Sequence, residues 1–123
     1  MLVTQKNGNL SKHRLYVFDK GLQTYFLVDS GSEVSTLPQS MVSEIGMETP
    51  VRLCAVNGTS VKVFGEVTRM LDIGINGVNK WTFYVTDTNE PILGADFIVN
   101  YELVVDLAHR TLCTASNSSS VDE

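Results

Sequence analysis

Thr24-Tyr25-Phe26-Leu27-Val28-Asp29-Ser30-Gly31 is the stretch on which the reading of this chain turns. Its first five residues are aromatic, β-branched or aliphatic and apolar on both faces, as a strand buried in the middle of a sheet must be. The run stops abruptly on an acid, a hydroxyl and a glycine. Upstream, Leu15-Tyr16-Val17-Phe18 is a second apolar run, and Asp19-Lys20-Gly21 between the two supplies a hairpin turn. Downstream, the same pattern of short apolar runs and turn residues continues. Val51 to Val56 and Thr59 to Phe64 flank Asn57-Gly58, and Met70 to Ile75 and Val78 to Thr86 flank Asn76-Gly77. Asn-Gly is a strong two-residue hairpin signal, because both central residues take positive φ. Leu71, Ile73 and Ile75, then Trp81, Phe83 and Val85, alternate as strands with one buried face do. Helical signals are few: a turn over Ser40 to Ile45 after Pro38, and one helix over Ala95 to Tyr101, followed by a final strand from Leu103 to Leu107. The pattern is that of an all-β domain.

Length and composition narrow the class. A chain of 123 residues accommodates one core, not two lobes. Residues 1–11 and 114–123 are polar and read as tails around a domain spanning 12–113. The net charge of −5, with Lys and Arg scattered, argues against nucleic acid, which demands a basic face. No apolar run is long enough for a membrane helix and the N-terminus lacks a signal-peptide core, so a cytosolic setting and no membrane partner are expected. Cys54 and Cys113 form no CxxC pair and His13 and His109 are isolated, so no metal site and no cofactor are expected, and the two cysteines read as free thiols.

Asp29-Ser30-Gly31 carries the chemistry. An acid at the exit of a buried strand is rigidly placed, the Ser30 hydroxyl can bond backbone across a shared axis, and Gly31 permits a tight turn and the close approach of another backbone. Such tripeptides also occur in ordinary turns, and the preceding apolar strand is what sets this one apart. If a second such carboxylate lies about 3 Å away, the two share one proton. The ionised member then takes a proton from an attacking water, while the protonated member polarises a peptide carbonyl.

The segment Phe26-Leu27-Val28-Asp29-Ser30-Gly31-Ser32-Glu33-Val34-Ser35-Thr36-Leu37-Pro38 closely resembles the active-site segment of retropepsins, the retroviral aspartic proteases, most of all those of gypsy-class LTR retrotransposons. Pro91-Ile92-Leu93-Gly94-Ala95-Asp96-Phe97 is similar to that family's apolar-apolar-Gly strand and helix, in the family's order and at about its spacing. The resemblance covers roughly residues 12–112. It implies a retropepsin-like closed β-barrel of the acid-protease type, with one short C-terminal helix, that is active as a homodimer. The chain itself agrees with a half-site, because Asp19-Lys20-Gly21, Asp72-Ile73-Gly74 and Asp87-Thr88-Asn89 all miss the motif and no repeat is visible.

Carried over by position, the resemblance makes Asp29 catalytic, Ser30 the hydroxyl that crosses the dimer, and Gly31 part of the same turn. Ser32, Glu33 and Val34, with Gly31, would line the substrate backbone and its near subsites. Leu27, Thr36 and Ile92 would form side-chain pockets, unless Leu27 and Ile92 are simply core. Val56, Asn57, Gly58 and Thr59 would be the tip of a flap closing over an extended peptide. Many retroviral enzymes have Arg after the second-motif glycine, paired with the acid after the catalytic turn. Here that position is Ala95, so Glu33 needs another partner, with Arg14 and Arg110 as candidates, or faces solvent. The segment after Leu107 gives no clear match to the interleaved terminal strands of viral dimers.

The expected function is an aspartic endopeptidase that processes a retrotransposon Gag-Pol polyprotein, in cytoplasm or within virus-like particles, with itself and a polypeptide substrate as partners. A domesticated retropepsin-like domain with a cellular substrate is the near alternative. A non-catalytic dimerisation or peptide-binding module of the same fold is the more distant one. A small all-β nucleotide hydrolase is set aside for want of a phosphate-cradling loop.

Overall fold

The computed structural model describes residues 14–43, 52–54, 60–75 and 77–115. Among these described residues nine strands and one α-helix follow in chain order: β1 (Leu15–Asp19), β2 (Thr24–Val28), β3 (Thr36–Pro38), β4 (Arg52–Cys54), β5 (Ser60–Leu71), β6 (Asn79–Thr86), β7 (Ile92–Leu93), α1 (Ala95–Asn100), β8 (Leu103–Asp106) and β9 (Thr111–Thr114). Seven strands make one sheet in the order β1-β2-β7-β3-β6-β5-β4, and β8 and β9 form a separate two-stranded ribbon. The terminal strands β1 and β4 do not pair with each other, so the sheet is open rather than a closed barrel among the described residues.

The site depends on where β7 lies. It is parallel to β2 (Leu27 opposite Ile92, Val28 opposite Leu93) and antiparallel to β3 (Thr36 opposite Ile92), so it separates the strand entering Asp29 from the strand leaving that loop. β3 in turn runs parallel to β6. These short strands are held by what they bury. Phe26, Leu37, Phe83, Val85, Leu93, Phe97 and Leu112 are at most 1% exposed and belong to one apolar cluster. Burying a side chain of this size contributes about 1.5–3 kcal/mol. The helix has only six residues, too short to be stable alone. Phe97 anchors it, edge-on to Trp81 at 5.6 Å and tilted against Tyr101 at 4.8 Å between centroids.

The β1–β2 hairpin and the helix form as the sequence leads one to expect, but β2 is buried on one face only, with Phe26 and Val28 in the core and Tyr25 and Leu27 half-buried. Elsewhere tertiary contacts override local signals. Met70 to Ile75 is not a strand of its own: β5 runs unbroken from Ser60 to Leu71, with a register shift between Val63 and Gly65, where Gly65 takes φ 145°. That conformation favours glycine and lets one strand bend instead of ending. Asn76 of the expected Asn76-Gly77 turn lies outside the described residues, and the ladder flanking it ends with Leu71 opposite Asn79. Two attachments pull the chain out of the ladder there. Lys20 N–H donates to the Asp72 carbonyl at 2.9 Å, and Asp72 N–H donates to the Asp19 carboxyl. Ile73 and Ile75 still reach the core, at 3% and 6% exposure, but from a loop.

In the β4–β5 pair Cys54 faces Ser60, whereas a two-residue loop carried on without interruption would oppose it to Val61. The expected helical turn after Pro38 is a 3-10 turn over Gln39–Met41. Leu103 to Leu107 is not the last strand, since β9 returns along β8 with Val105 opposite Leu112. The turn between them contains no Gly, Pro or Asn to announce it. Asp106 closes it instead, accepting the His109 N–H at 3.2 Å, while Arg110 sits at φ 54°. Thr114 is buried, and Ala115 N–H donates to the Glu102 carbonyl at 2.8 Å, so the packed structure runs past residue 113.

Candidate active site

The site begins with β2, whose alternation puts Phe26 and Val28 in the core and Leu27 on the opposite face. Period-two geometry carries Asp29 onto the Leu27 face just as the strand ends. Its position is secured twice. Asp29 N–H donates to the Leu93 carbonyl at 2.9 Å, continuing the β2–β7 ladder by one bond, and the Asp29 carbonyl accepts Ser32 N–H at 3.0 Å to close the turn. The carboxylate is half-buried, and its Oδ1 accepts the Gly31 N–H at 3.0 Å. A Cβ on residue 31 would stand 3.3 Å from that oxygen, so the glycine leaves the acid uncrowded. Ser30 and Gly31 are exposed, as is Glu33, and Ser32 and Val34 are half-buried. The Ser32 hydroxyl donates to the Val34 carbonyl at 2.8 Å.

The second segment clamps this loop. Ala95 N–H donates to the Ser32 carbonyl at 2.7 Å and Asp96 N–H to the Glu33 carbonyl at 3.2 Å. Gly94 lies so close beneath the loop that a Cβ there would be 2.5 Å from the Val34 carbonyl oxygen and 2.7 Å from that of Ser32. Here only glycine fits, for lack of space and not for its φ of −94°. Ser35 and Asp96 complete the clamp. The Asp96 carboxylate accepts the Ser35 N–H at 3.0 Å, the Ser35 hydroxyl at 2.7 Å and the Phe97 N–H at 2.7 Å, while Ser35 Oγ accepts the Gly94 N–H at 2.8 Å. Each such bond contributes about 0.5–1.5 kcal/mol net, more where a carboxylate accepts. Together they make residues 29–35 a rigid platform.

Sequence reasoning did not single out Ser35 or Asp96 as supports of the site. The available signals were a small hydroxyl at the head of the apolar Thr36-Leu37 strand and an acid in the first turn of a helix opened by glycine. The substitute partners considered for Glu33 do not serve. Arg110 donates to the Arg14 carbonyl at 3.4 Å, and Glu33 has no cation partner among the described residues.

Leu27, Ile92, Thr36 and Tyr84 follow one another in register across β2, β7, β3 and β6, so their side chains share the face that also carries Asp29. Leu27 and Ile92 are half-buried and stand outside the core cluster. Thr36 is 4% exposed, and its Oγ1 is buried without a hydrogen-bond partner. Val56, Asn57, Gly58 and Thr59, assigned to the flap tip, lie outside the described residues. Among the described residues no group of three or more His, Cys, Asp or Glu side chains is placed to hold a metal ion.

The chain's architecture recurs in solved structures. The retroviral protease-like domain of Ddi1 from Leishmania major aligns over 83% of this chain and 88% of its own, with a TM-score of 0.57 and 22% identity. The EIAV protease, solved in complex with the inhibitor HBY-793, aligns over 80% of this chain and 93% of its own, with a TM-score of 0.53 and 20% identity. No family model and no curated protein matches the sequence. The likeness establishes a mostly-β, retropepsin-like fold with one short helix.

Proposed function

We propose that this chain is one half of an aspartic endopeptidase, which becomes active when two copies bring their Asp29 carboxylates together on a twofold axis. The observation that carries the reading is the placement of Asp29. It stands at the mouth of a buried strand, its Oδ1 held by the Gly31 N–H, on a loop riveted to β7 and α1. An ordinary surface turn has no need of such fixation. A catalytic acid does, since misplacement by about 1 Å can cost 10²-fold in rate.

In the dimer the two carboxylates hold one proton between them and act as a coupled pair. The ionised member draws a proton from water as the water oxygen attacks the scissile carbonyl, and the other donates its proton towards the carbonyl oxygen. Collapse of the tetrahedral intermediate expels the amine, which leaves with a proton from the pair. Ser30, exposed beside the acid, is assigned to a backbone bond across the dimer. Leu27 and Ile92 are assigned to pockets for apolar side chains of an extended peptide, and Thr36 contributes to their floor. Residues 56–59 are assigned to a flap that covers the peptide and excludes water. The reading extends to a retrotransposon polyprotein as substrate and the cytoplasm or a virus-like particle as setting. The likeness to the Ddi1 domain favours a second version, a cellular domain of the same chemistry. A reverse transcriptase or a ubiquitin-related domain encoded alongside distinguishes the two.

Cleavage of a hydrophobic peptide library by wild type and Asp29→Asn tests the chemistry. The variant should lose about 10²- to 10⁴-fold in kcat/KM, the range for a general acid–base group. It should still associate with wild type, and excess variant should therefore suppress wild-type activity. Equal cleavage by both proteins, or full activity from a chain that sedimentation shows to be monomeric throughout, would sink the proposal.

A further inference from the structure

The carboxylate of Asp96 receives three bonds, and their direction restricts what that position can hold. Its Oδ1 accepts the Ser35 hydroxyl and the Phe97 N–H, both at 2.7 Å, and its Oδ2 accepts the Ser35 N–H at 3.0 Å. Each oxygen thus faces a backbone N–H, a group that can only donate. An amide in place of the carboxyl would turn its NH2 towards one of the two, and either orientation sets donor against donor. Ser35 is fully buried, so bulk water is not at hand to replace a lost bond. Asp96 grips the loop from its backbone as well, its own N–H donating to the Glu33 carbonyl at 3.2 Å. Three residues before Ser35, the Ser32 N–H closes the turn onto the Asp29 carbonyl at 3.0 Å. The bonds that converge on Asp96 therefore end, through one short rigid loop, at the acid that carries the chemistry.

We infer that Asp96 is a positioning residue of the peptidase reaction, acting as a carboxylate on Ser35 to set where Asp29 meets the Asp29 of a second copy. This rests on the peptidase reading and assigns to Asp96 a role in rate, beyond its role in holding the loop. Asp96 touches neither the substrate nor the reacting atoms. Without the grip on Ser35, the loop still keeps its Ala95–Ser32 and residue 96–Glu33 backbone bonds, so it shifts without unfolding. Two carboxyls that share a proton must stand about 3 Å apart, and in a twofold dimer any displacement enters from both sides. The penalty falls on kcat. Leu27 and Ile92, assigned to bind apolar side chains, sit on β2 and β7, whose pairing does not pass through Asp96. Asp19 offers a comparison within the same chain. It too is a buried carboxyl that accepts three N–H groups, those of Gly21, Leu22 and Asp72, but it lies at the opposite end of β2 from Asp29.

The test compares Asp96→Asn with Asp19→Asn in the full chain, on one apolar peptide, at a temperature where melting curves show both variants folded. Both should melt earlier than wild type. Asp96→Asn should lose about 10- to 100-fold in kcat while KM stays within about twofold. Asp19→Asn should keep kcat per folded chain within about twofold, since its bonds do not reach the Asp29 loop. Ser35→Ala removes one of the three bonds and keeps the backbone one, so it serves if Asp96→Asn does not fold; it should show the same split at about three- to tenfold. Native-state hydrogen exchange adds a reading that needs no cleavage. The Ser32 N–H, bonded to Asp29 and not to Asp96, should exchange about tenfold faster in Asp96→Asn and at the wild-type rate in Asp19→Asn. Wild-type kcat in both Asp96→Asn and Ser35→Ala, or an equal loss of kcat in Asp19→Asn, overturns the assignment and leaves the peptidase reading standing. Wild type that cleaves no peptide overturns both.

Discussion

Replacing Gly94 by Ala probes the contact on which the whole site rests. The new methyl would meet the Val34 carbonyl oxygen at 2.5 Å, and the Ser32 carbonyl oxygen and Val34 carbonyl carbon at 2.7 Å. All three are backbone atoms, so no side chain can rotate away. Restoring ordinary contact at roughly 3.4 Å requires a displacement of about 0.9 Å between the second segment and the loop. Overpacking of this kind costs about 1–3 kcal/mol. The same displacement stretches the Ala95–Ser32 and Asp96–Glu33 backbone bonds, at about 1 kcal/mol each. Against this, alanine restricts the unfolded chain and returns about 0.4–1 kcal/mol. The expected net loss is about 2–5 kcal/mol, read from urea or guanidinium melts followed by circular dichroism. Peptide cleavage, measured where the variant is still folded, should fall further than stability does, because Asp29 moves with the loop. Gly77→Ala is the control. It has open space around the added methyl but sits at φ 72°, so it should cost only the backbone term of about 1–2 kcal/mol and leave cleavage intact. If Gly94→Ala melts within 0.5 kcal/mol of wild type, the crowding argument fails.

Three further outcomes are expected. Asp19→Ala removes a fully buried carboxyl that accepts the Gly21, Leu22 and Asp72 N–H groups, so it should cost roughly 3 kcal/mol and loosen the β1–β2 turn; native-state hydrogen exchange at those three amides would show it, and unchanged protection would contradict it. Thr36→Val deletes a buried hydroxyl that has no partner while keeping its shape, so melting should be unchanged or raised by up to about 1 kcal/mol, and a clear loss would mean the hydroxyl is satisfied in solution. The Asp106 carboxyl is held below its ordinary value of 3.8, first by the His109 side chain and then by the His109 N–H. A lowered value in the folded state stabilises at higher pH and loses that effect as pH falls through it. Asp106→Asn should thus melt slightly earlier than wild type at pH 6, with the gap closing towards pH 3; a gap that persists unchanged would refute the assignment.

Much of this protein was legible before its structure. The run Tyr25-Phe26-Leu27-Val28 reads as a strand and forms one, although only Phe26 and Val28 enter the core and Tyr25 and Leu27 stay half-buried. An acid, a hydroxyl and a glycine at its end, with Ile92-Leu93-Gly94 later in the chain, marked the site. These are features of local composition, which a sequence displays directly. The expected strand from Met70 to Ile75 stopped at Leu71 for the complementary reason. Strand propensity there is worth about 1 kcal/mol, and it lost to two buried isoleucines and the bonds linking Asp72 to the β1–β2 turn. β9 went unseen because its turn is closed by a side chain and a left-handed arginine instead of by glycine.

What the sequence alone determined is the acid, hydroxyl and glycine at the end of β2 and the mostly-β character of the chain around them. Only the tertiary structure decided what holds that turn in place. The clamp is made by residues some 60 positions apart, Ser35 with Asp96 and Ser32 with Ala95, and by a glycine whose missing methyl is a matter of space. It also decided that Glu33 is left without a cation partner among the described residues. Such contacts follow from threading β7 between β2 and β3, and sequence periodicity, which reports only which face a residue takes, carries no record of that threading.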